Sequence, residues 1–148
     1  MTKSAQTKFE KKLAEVIKNN NDLFVAAFLA EACINSEWGT NSLALFHNYF
    51  SLKCSENWSG KIVHHETLTE YTRKKRSNVT VDYRAYYSDE EAIADYFLYI
   101  RSYHSAMNNI KTLKGACKYI ANHFHGSDSD YYKKLLAVIE ERKLEKYN

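Results

Sequence analysis

The chain has 148 residues, 45% hydrophobic and 26% charged, a balance that closes a core and excludes an intrinsically disordered protein. Lysines and arginines number 21 against 18 aspartates and glutamates, so the net charge is +3, too mild an excess to indicate nucleic acid. The 3 cysteines, Cys33, Cys54 and Cys117, cannot all pair within one chain, and their spacing fits neither a paired-cysteine metal site nor a disulfide-dense scaffold.

Residues 1–8 read as a loose arm. Phe9, Leu13, Val16 and Ile17 then recur at helical spacing, with lysines and glutamates on the other face. Asn19-Asn20-Asn21-Asp22 breaks that helix, and Asp22 is the expected cap of the next. The second helix, over residues 23–34, is apolar nearly all round and is expected at the centre of the core. It is too short to span a bilayer and carries Glu31, and the opening residues show no secretory leader.

The end of this helix organises the rest. It gathers Asn35, Ser36, Glu37, Trp38 and Gly39, an amide, a hydroxyl, a carboxylate, an indole and a glycine, within five positions. A left-handed glycine suits a helix C-terminus. Such a corner serves as ordinary packing or as the floor of a binding site.

A helical turn follows at 42–46, then Asn48-Tyr49-Phe50-Ser51-Leu52-Lys53 and a loop around Trp58. Two extended runs, 61–69 and 79–83, flank the basic stretch Arg73-Lys74-Lys75-Arg76-Ser77-Asn78, which reads as a solvated hairpin connection. Ser88 with Glu91 three positions on is a capping box for a helix burying Ala92, Ile93, Tyr96, Phe97 and Ile100. Another helix runs from about Thr112 to Phe124. Ser129 or Asp130 caps a last one with Leu135, Leu136 and Ile139 inward, and the charged tail from Glu140 is expected to fray. With no proline and no repeat, the chain reads as one domain over 1–148, mainly helical with an inserted β-hairpin, its ends (1–8 and 141–148) flexible.

His64, His65, His123 and His125, with Cys117, show no ligand spacing of a known metal site, and a Cys-His nucleophile pair is equally unsupported.

The order of the motifs resembles a known family, the glucosaminidase domains of bacterial cell-wall hydrolases (glycoside hydrolase family 73), found in autolysins, flagellar rod-cap hydrolases and phage lysins. Those domains carry A-Q-A-x-x-E-S-G-W-G, then L-A, N-L-F-G-I-K, a W-x-G loop, T-x-E-Y, F-R-x-Y-x-S, a D-Y helix and G-Y-A-T-D-P-x-Y-x-x-K-L. This chain has Ala30-Glu31-Ala32-Cys33-Ile34-Asn35-Ser36-Glu37-Trp38-Gly39, Leu43-Ala44, Asn48 to Lys53, Trp58-Ser59-Gly60 and Thr69-Glu70-Tyr71. It continues with Tyr83-Arg84-Ala85-Tyr86-Tyr87-Ser88, Asp95-Tyr96, and Phe124-His125-Gly126-Ser127-Asp128-Ser129-Asp130-Tyr131 before Lys134-Leu135. The resemblance spans roughly residues 10–140 and implies a lysozyme-like fold, helical, with a small β-lobe forming one wall of a glycan cleft.

It further implies a peptidoglycan hydrolase of endo-β-N-acetylglucosaminidase type, cutting β-1,4 bonds by general acid catalysis, without cofactor or metal. The partner is the glycan strand of peptidoglycan, with no nucleic acid and no membrane span; the oligomeric state is unknown from sequence, and a monomer is assumed. The implied place of action is extracellular or the cell wall, reached by another export route, in a phage, or as a domain of a longer protein.

One departure bears on catalysis. The family's acid position is Asn35 here, and an amide cannot supply a proton near neutral pH. Three readings stay open: Glu37 has taken the role, although two helical positions turn a side chain by about 200°; the change leaves an inactive glycan-binding domain; or Glu31, one turn earlier on the same face and expected to lie too deep, replaces it. Glu70 falls at the family's second acidic position, to hold or activate water across the cleft. Tyr131 falls on the family's cleft tyrosine, for contact with the N-acetyl group or the transition state. Trp38, Asn48, Phe50 and Tyr71 are the implied substrate-lining residues.

Overall fold

Helix α1 (Lys3–Asn20) begins earlier than the apolar spacing indicates. Thr2 explains the difference: its Oγ1 accepts a hydrogen bond from the Ala5 amide at 3.0 Å and caps the helix seven residues before Phe9 reaches the core. The computed structural model describes residues 1–72 and 75–148, and side chains for 1–63 and 81–148.

Helix α2 (Val25–Ser36) is the central one: residues 25–33 are all buried, and the helix packs against α1, the two C-terminal helices and the final turn of chain. Asp22 does not cap it. Phe24, in the left-handed region at φ 57°, occupies that position without a side-chain bond. The Ala26 amide is satisfied instead by Asn148 Oδ1 at 2.8 Å, from the far end of the sequence. The C-terminal residues therefore do not simply fray from Glu140. Helix α5 (Tyr131–Arg142) runs on into a 3-10 turn, Leu144–Tyr147, and Leu144 is fully buried.

Strands β1 (Lys61–Thr72) and β2 (Lys75–Ala85) pair antiparallel, Lys61 opposite Ala85 and Thr72 opposite Lys75, with an irregularity between Leu68 and Glu70. Both are longer than the alternating pattern indicates. Residues 75–78 of the basic stretch lie in β2, because backbone pairing continues where side-chain alternation stops; Arg73 and Lys74 lie outside the described residues. The base of the hairpin is stitched to the loop before it. Cys54 N donates to Asp82 O, Arg84 N to Leu52 O and Tyr86 N to Phe46 O, at 2.9, 3.0 and 2.9 Å.

Helix α3 (Asp89–Tyr103) starts as expected, with Ser88 Oγ accepting from Glu91 N at 3.1 Å. Glu91 returns its carboxylate to the Tyr87 amide, one residue short of a reciprocal box. Thr112 caps α4 (Leu113–Phe124) through the Gly115 amide. Asp130 stands at the start of α5 without a capping bond; Asp128 binds the Asp130 amide and Lys134 Nζ instead. The result is a lysozyme-like helical domain with a small β-hairpin between its helical halves. No helix among the described residues is long and apolar enough to cross a membrane.

Candidate active site

Helix α2 stops at Ser36, and Glu37, Trp38 and Gly39 follow in the left-handed region at φ 52°, 53° and 79°. Trp38 N donates to Cys33 O at 2.8 Å, which closes the helix end as a Schellman-type turn. Two non-glycine residues in this conformation cost about 1 kcal/mol each. The third position needs glycine for a second reason, since a Cβ there would meet the Phe9 ring at 2.6 Å.

This turn sends the corner side chains in different directions. Trp38 Nε1 donates to Glu10 Oε2 at 2.8 Å, and Arg142 Nε donates to the same oxygen at 2.7 Å, so the Glu10 carboxylate joins α1 to α5 and to the turn after α2. Glu37 is exposed on the turn. Asn35 Nδ2 donates to Tyr49 O at 3.1 Å and Ser51 Oγ at 2.7 Å, tying the end of α2 to the 48–53 loop. Asn48 is only 2% exposed and all its polar side-chain atoms bind backbone: Nδ2 donates to Leu52 O and Arg84 O, and Oδ1 accepts from Leu52 N.

One turn above Asn35, α2 delivers Glu31 to the floor of a cleft of about 360 Å³. Glu31 is 1% exposed, and each carboxylate oxygen has a partner: Tyr96 Oη donates to Oε1 at 2.5 Å, and His125 Nε2 lies 2.9 Å from Oε2. Burial, and then the Glu31 charge, push the Tyr96 phenol well above its ordinary range, so its proton stays and points at the carboxylate. Phe50 stacks on Tyr96 with ring centres 3.7 Å apart, and the His125 ring stacks on Tyr131 at 3.8 Å. The Tyr131 phenol is also pushed up, by burial and by Glu31, and its hydroxyl is buried without a hydrogen-bond partner among the described residues.

The two walls of the cleft differ. Lys53, Ser55 and Arg84 stand on the hairpin side, Tyr99, His123 and Phe124 on the side of α3 and α4. Arg84 is held by Asp95 at 2.8 Å and by Lys53 O at 3.1 Å, with its guanidinium over the Trp58 ring. Among the described residues Glu31 is the one carboxylate lining this cleft. A larger groove, about 820 Å³, lies between α4, α5 and the last turn, lined by Leu113, Leu136 and Ile139 under a rim of lysines and glutamates. Chemistry rather than volume selects the smaller of the two, where among the described residues a buried carboxylate lies on the floor beneath ring faces and beside fixed donors.

Of the residues singled out in the sequence, then, Glu31 and Phe50 line the cleft, and Tyr131 lies behind Glu31 through His125. Asn35 borders it through Ser51. Glu37, Trp38 and Asn48 are not among its lining residues. Glu70 and Tyr71 lie in β1, and their side chains are outside the described residues. Tyr96 and His125 are the partners that sequence reasoning did not assign. Tyr96 reads as one more inward aromatic of α3, and nothing local ties His125 to a position 94 residues earlier.

The sequence model of the family described as mannosyl-glycoprotein endo-beta-N-acetylglucosaminidase, the glucosaminidase family, matches residues 9–144. The chain belongs to this family. Among curated proteins, the peptidoglycan hydrolase FlgJ of Salmonella typhimurium is 26% identical over 122 residues, and that of Escherichia coli K12 is 27% identical over the same length. These matches take in 78% of the chain but only 38% and 39% of the relatives, so the chain spans well under half their length. Among solved structures, the catalytic domain of the autolysin Auto from Listeria monocytogenes superposes with a TM-score of 0.83 at 23% identity, covering 100% of this chain and 90% of that one. The glycoside hydrolase domain of Salmonella FlgJ, truncated at its C-terminus, gives 0.69 at 23% identity, covering 93% and 97%. Likeness at these identities establishes the fold.

Within this glucosaminidase-family chain, Glu31 and Asn35 stand one helical turn apart on one face of α2.

Proposed function

We propose that this chain acts on the glycan strand of peptidoglycan as an endo-β-N-acetylglucosaminidase, with Glu31 as the proton donor. The observation that carries the reading is the floor of the cleft, where Glu31 is held by Tyr96 and His125 beneath the aromatic wall. Family membership and the FlgJ relatives support the substrate class.

In this reading Tyr96 fixes one oxygen of the carboxyl. The reaction requires the protonated acid, which gives its proton from the other oxygen, beside His125, to the glycosidic oxygen as the bond to the anomeric carbon breaks. Water adds at that carbon and returns a proton to the site, which balances the hydrolysis. Glu70, at the family's second acidic position, is proposed to orient that water from the β-lobe. Asn35 and Ser51 then serve as neutral hydrogen-bonding groups beside the sugar, where a second carboxylate would repel the first.

A specific observation favours a second reading, a glycan-binding domain without turnover. Glu31 is 1% exposed with both oxygens engaged, and Asn35 occupies the family's acid position. Digestion of purified peptidoglycan with the intact chain, followed by mass spectrometry of the released fragments, separates the two. Hydrolysis is expected to expose N-acetylglucosamine at new reducing ends. Retention on the polymer without new ends would establish the binding domain, and neither retention nor new ends would remove both readings.

A further inference from the structure

The cleft chemistry leaves one feature unused, a cluster of rings where α3 and α4 meet. On α4, Tyr119 and His123 stack one turn apart, with ring centres 3.8 Å apart and planes within 12°. His123 Nδ1 lies 3.1 Å from the Tyr119 backbone carbonyl, which fixes the imidazole in that plane. Behind them His104, at the end of α3, has its Nδ1 2.8 Å from Tyr119 Oη and meets the Phe124 ring edge-on at 4.7 Å. Tyr99 adds a ring 5.5 Å from His104.

Core packing accounts for only part of this arrangement: Tyr99 and Phe124 rest against the core, whereas Tyr119 does not. The inward face of α4 is already supplied by Ala116, Cys117, Ile120 and Ala121, all buried. His123 is exposed, and Tyr99 and Tyr119 are half-buried. The cluster thus holds polar aromatic rings in one fixed geometry at the surface, their orientation settled before any ligand arrives. Tyr99, His123 and Phe124 face the same cleft as Glu31, opposite Lys53, Ser55 and Arg84.

A cleft with one ring-faced wall and one polar, cationic wall matches the two sides of a pyranose. The sugar's C–H face packs on aromatic faces, while its hydroxyls and N-acetyl group need donors and acceptors. We infer that Tyr99, His123 and Phe124 form a sugar-stacking subsite, backed by Tyr119 and His104, that holds an N-acetylhexosamine unit of the strand adjacent to the bond over Glu31. The inference rests on the glycan reading and adds where, and by which face, one sugar is gripped.

Titration calorimetry with N-acetylglucosamine dimers, tetramers and hexamers tests it, alongside sedimentation of the chain with insoluble peptidoglycan. His123→Ala and Tyr99→Ala are each expected to weaken hexamer binding about three- to tenfold, as loss of one ring contact implies. His123→Phe, which restores a ring but not the imidazole nitrogens, is expected to regain affinity to within about twofold by the same argument. Thermal melts of each variant establish that it is folded; His123 is exposed, so its replacement leaves the core intact. Wild-type chain that binds the sugars, with both alanine variants unchanged, overturns the subsite and leaves the glycan reading standing. A His123→Phe variant as weak as His123→Ala overturns stacking as the cause. Wild-type chain that neither binds oligomers nor sediments with peptidoglycan overturns the glycan reading and the subsite together.

Discussion

Glu31 Oε2 lies 2.9 Å from His125 Nε2, joining the middle of the most buried helix to the loop after α4. A carboxyl group 1% exposed is costly to bury unless its oxygens are hydrogen-bonded, and Tyr96 and His125 are its partners here. Removing one leaves the group under-satisfied inside the core. His125→Ala is expected to destabilise the fold by about 3 kcal/mol. His125→Gln, which still reaches as a donor, should lose less. Urea midpoints of the two variants check this; equal midpoints would show that the imidazole contributes only volume.

Asp89 gives a pH dependence of known sign. Burial pushes its carboxyl up, but hydrogen bonds from Tyr49, His47 and Lys12 outweigh burial and hold it below the usual carboxylate range. Its folded-state pKa is lower than its unfolded one, so its contribution is present above the unfolded value and is lost as pH falls through the folded one. Asp89→Asn should therefore lower stability near neutrality and flatten the fall in stability below about pH 4. Thermal melts from pH 7 to pH 2 read both effects, and parallel curves would exclude Asp89 as a source of acid sensitivity.

Gly39→Ala is expected to cost more than about 1 kcal/mol, because a left-handed φ and a 2.6 Å approach to the Phe9 ring act together. Chemical denaturation of Gly39→Ala beside Phe9→Leu/Gly39→Ala separates them. Partial recovery in the double variant marks the steric share.

Much of this architecture is legible in the sequence, for reasons tied to particular residues. The apolar run 23–34 declares the central helix, Ser88 and Glu91 declare the start of α3, and the alternation Val79, Val81, Tyr83 declares a strand. These signals are local, set by period and capping chemistry. What the sequence hides is long-range. The cap of α2 comes from Asn148, and Trp38 turns toward Glu10 because three left-handed residues end the helix. Asn48, implied by resemblance as a cleft residue, has its amide bound to Leu52 and Arg84 backbone. The depth of Glu31 is expected from sequence and found in the fold: it lines the cleft floor beneath Phe50, Tyr96 and Phe124 and is 1% exposed.

The Glu10–Arg142 pair shows the same long reach as a stability element. Glu10 is 1% exposed, and Arg142 Nε and Nη2 donate to its two oxygens at 2.7 and 3.1 Å. Arg142→Ala should destabilise by about 3 kcal/mol or somewhat less, since Trp38 still donates to Glu10. Trp38 fluorescence should shift with the loss of its neighbour. Unchanged stability would mean that the indole alone satisfies the buried carboxylate.

The most direct test of the account is the rate of release of new reducing ends from peptidoglycan by the wild-type chain, by Glu31→Gln and by Glu37→Gln, with binding to the polymer measured in parallel. The account predicts turnover in the wild type, loss of about 10²-fold or more in Glu31→Gln with binding retained, and little change in Glu37→Gln. Turnover that survives in Glu31→Gln and vanishes in Glu37→Gln would contradict it and move the proton donor to the exposed turn after α2.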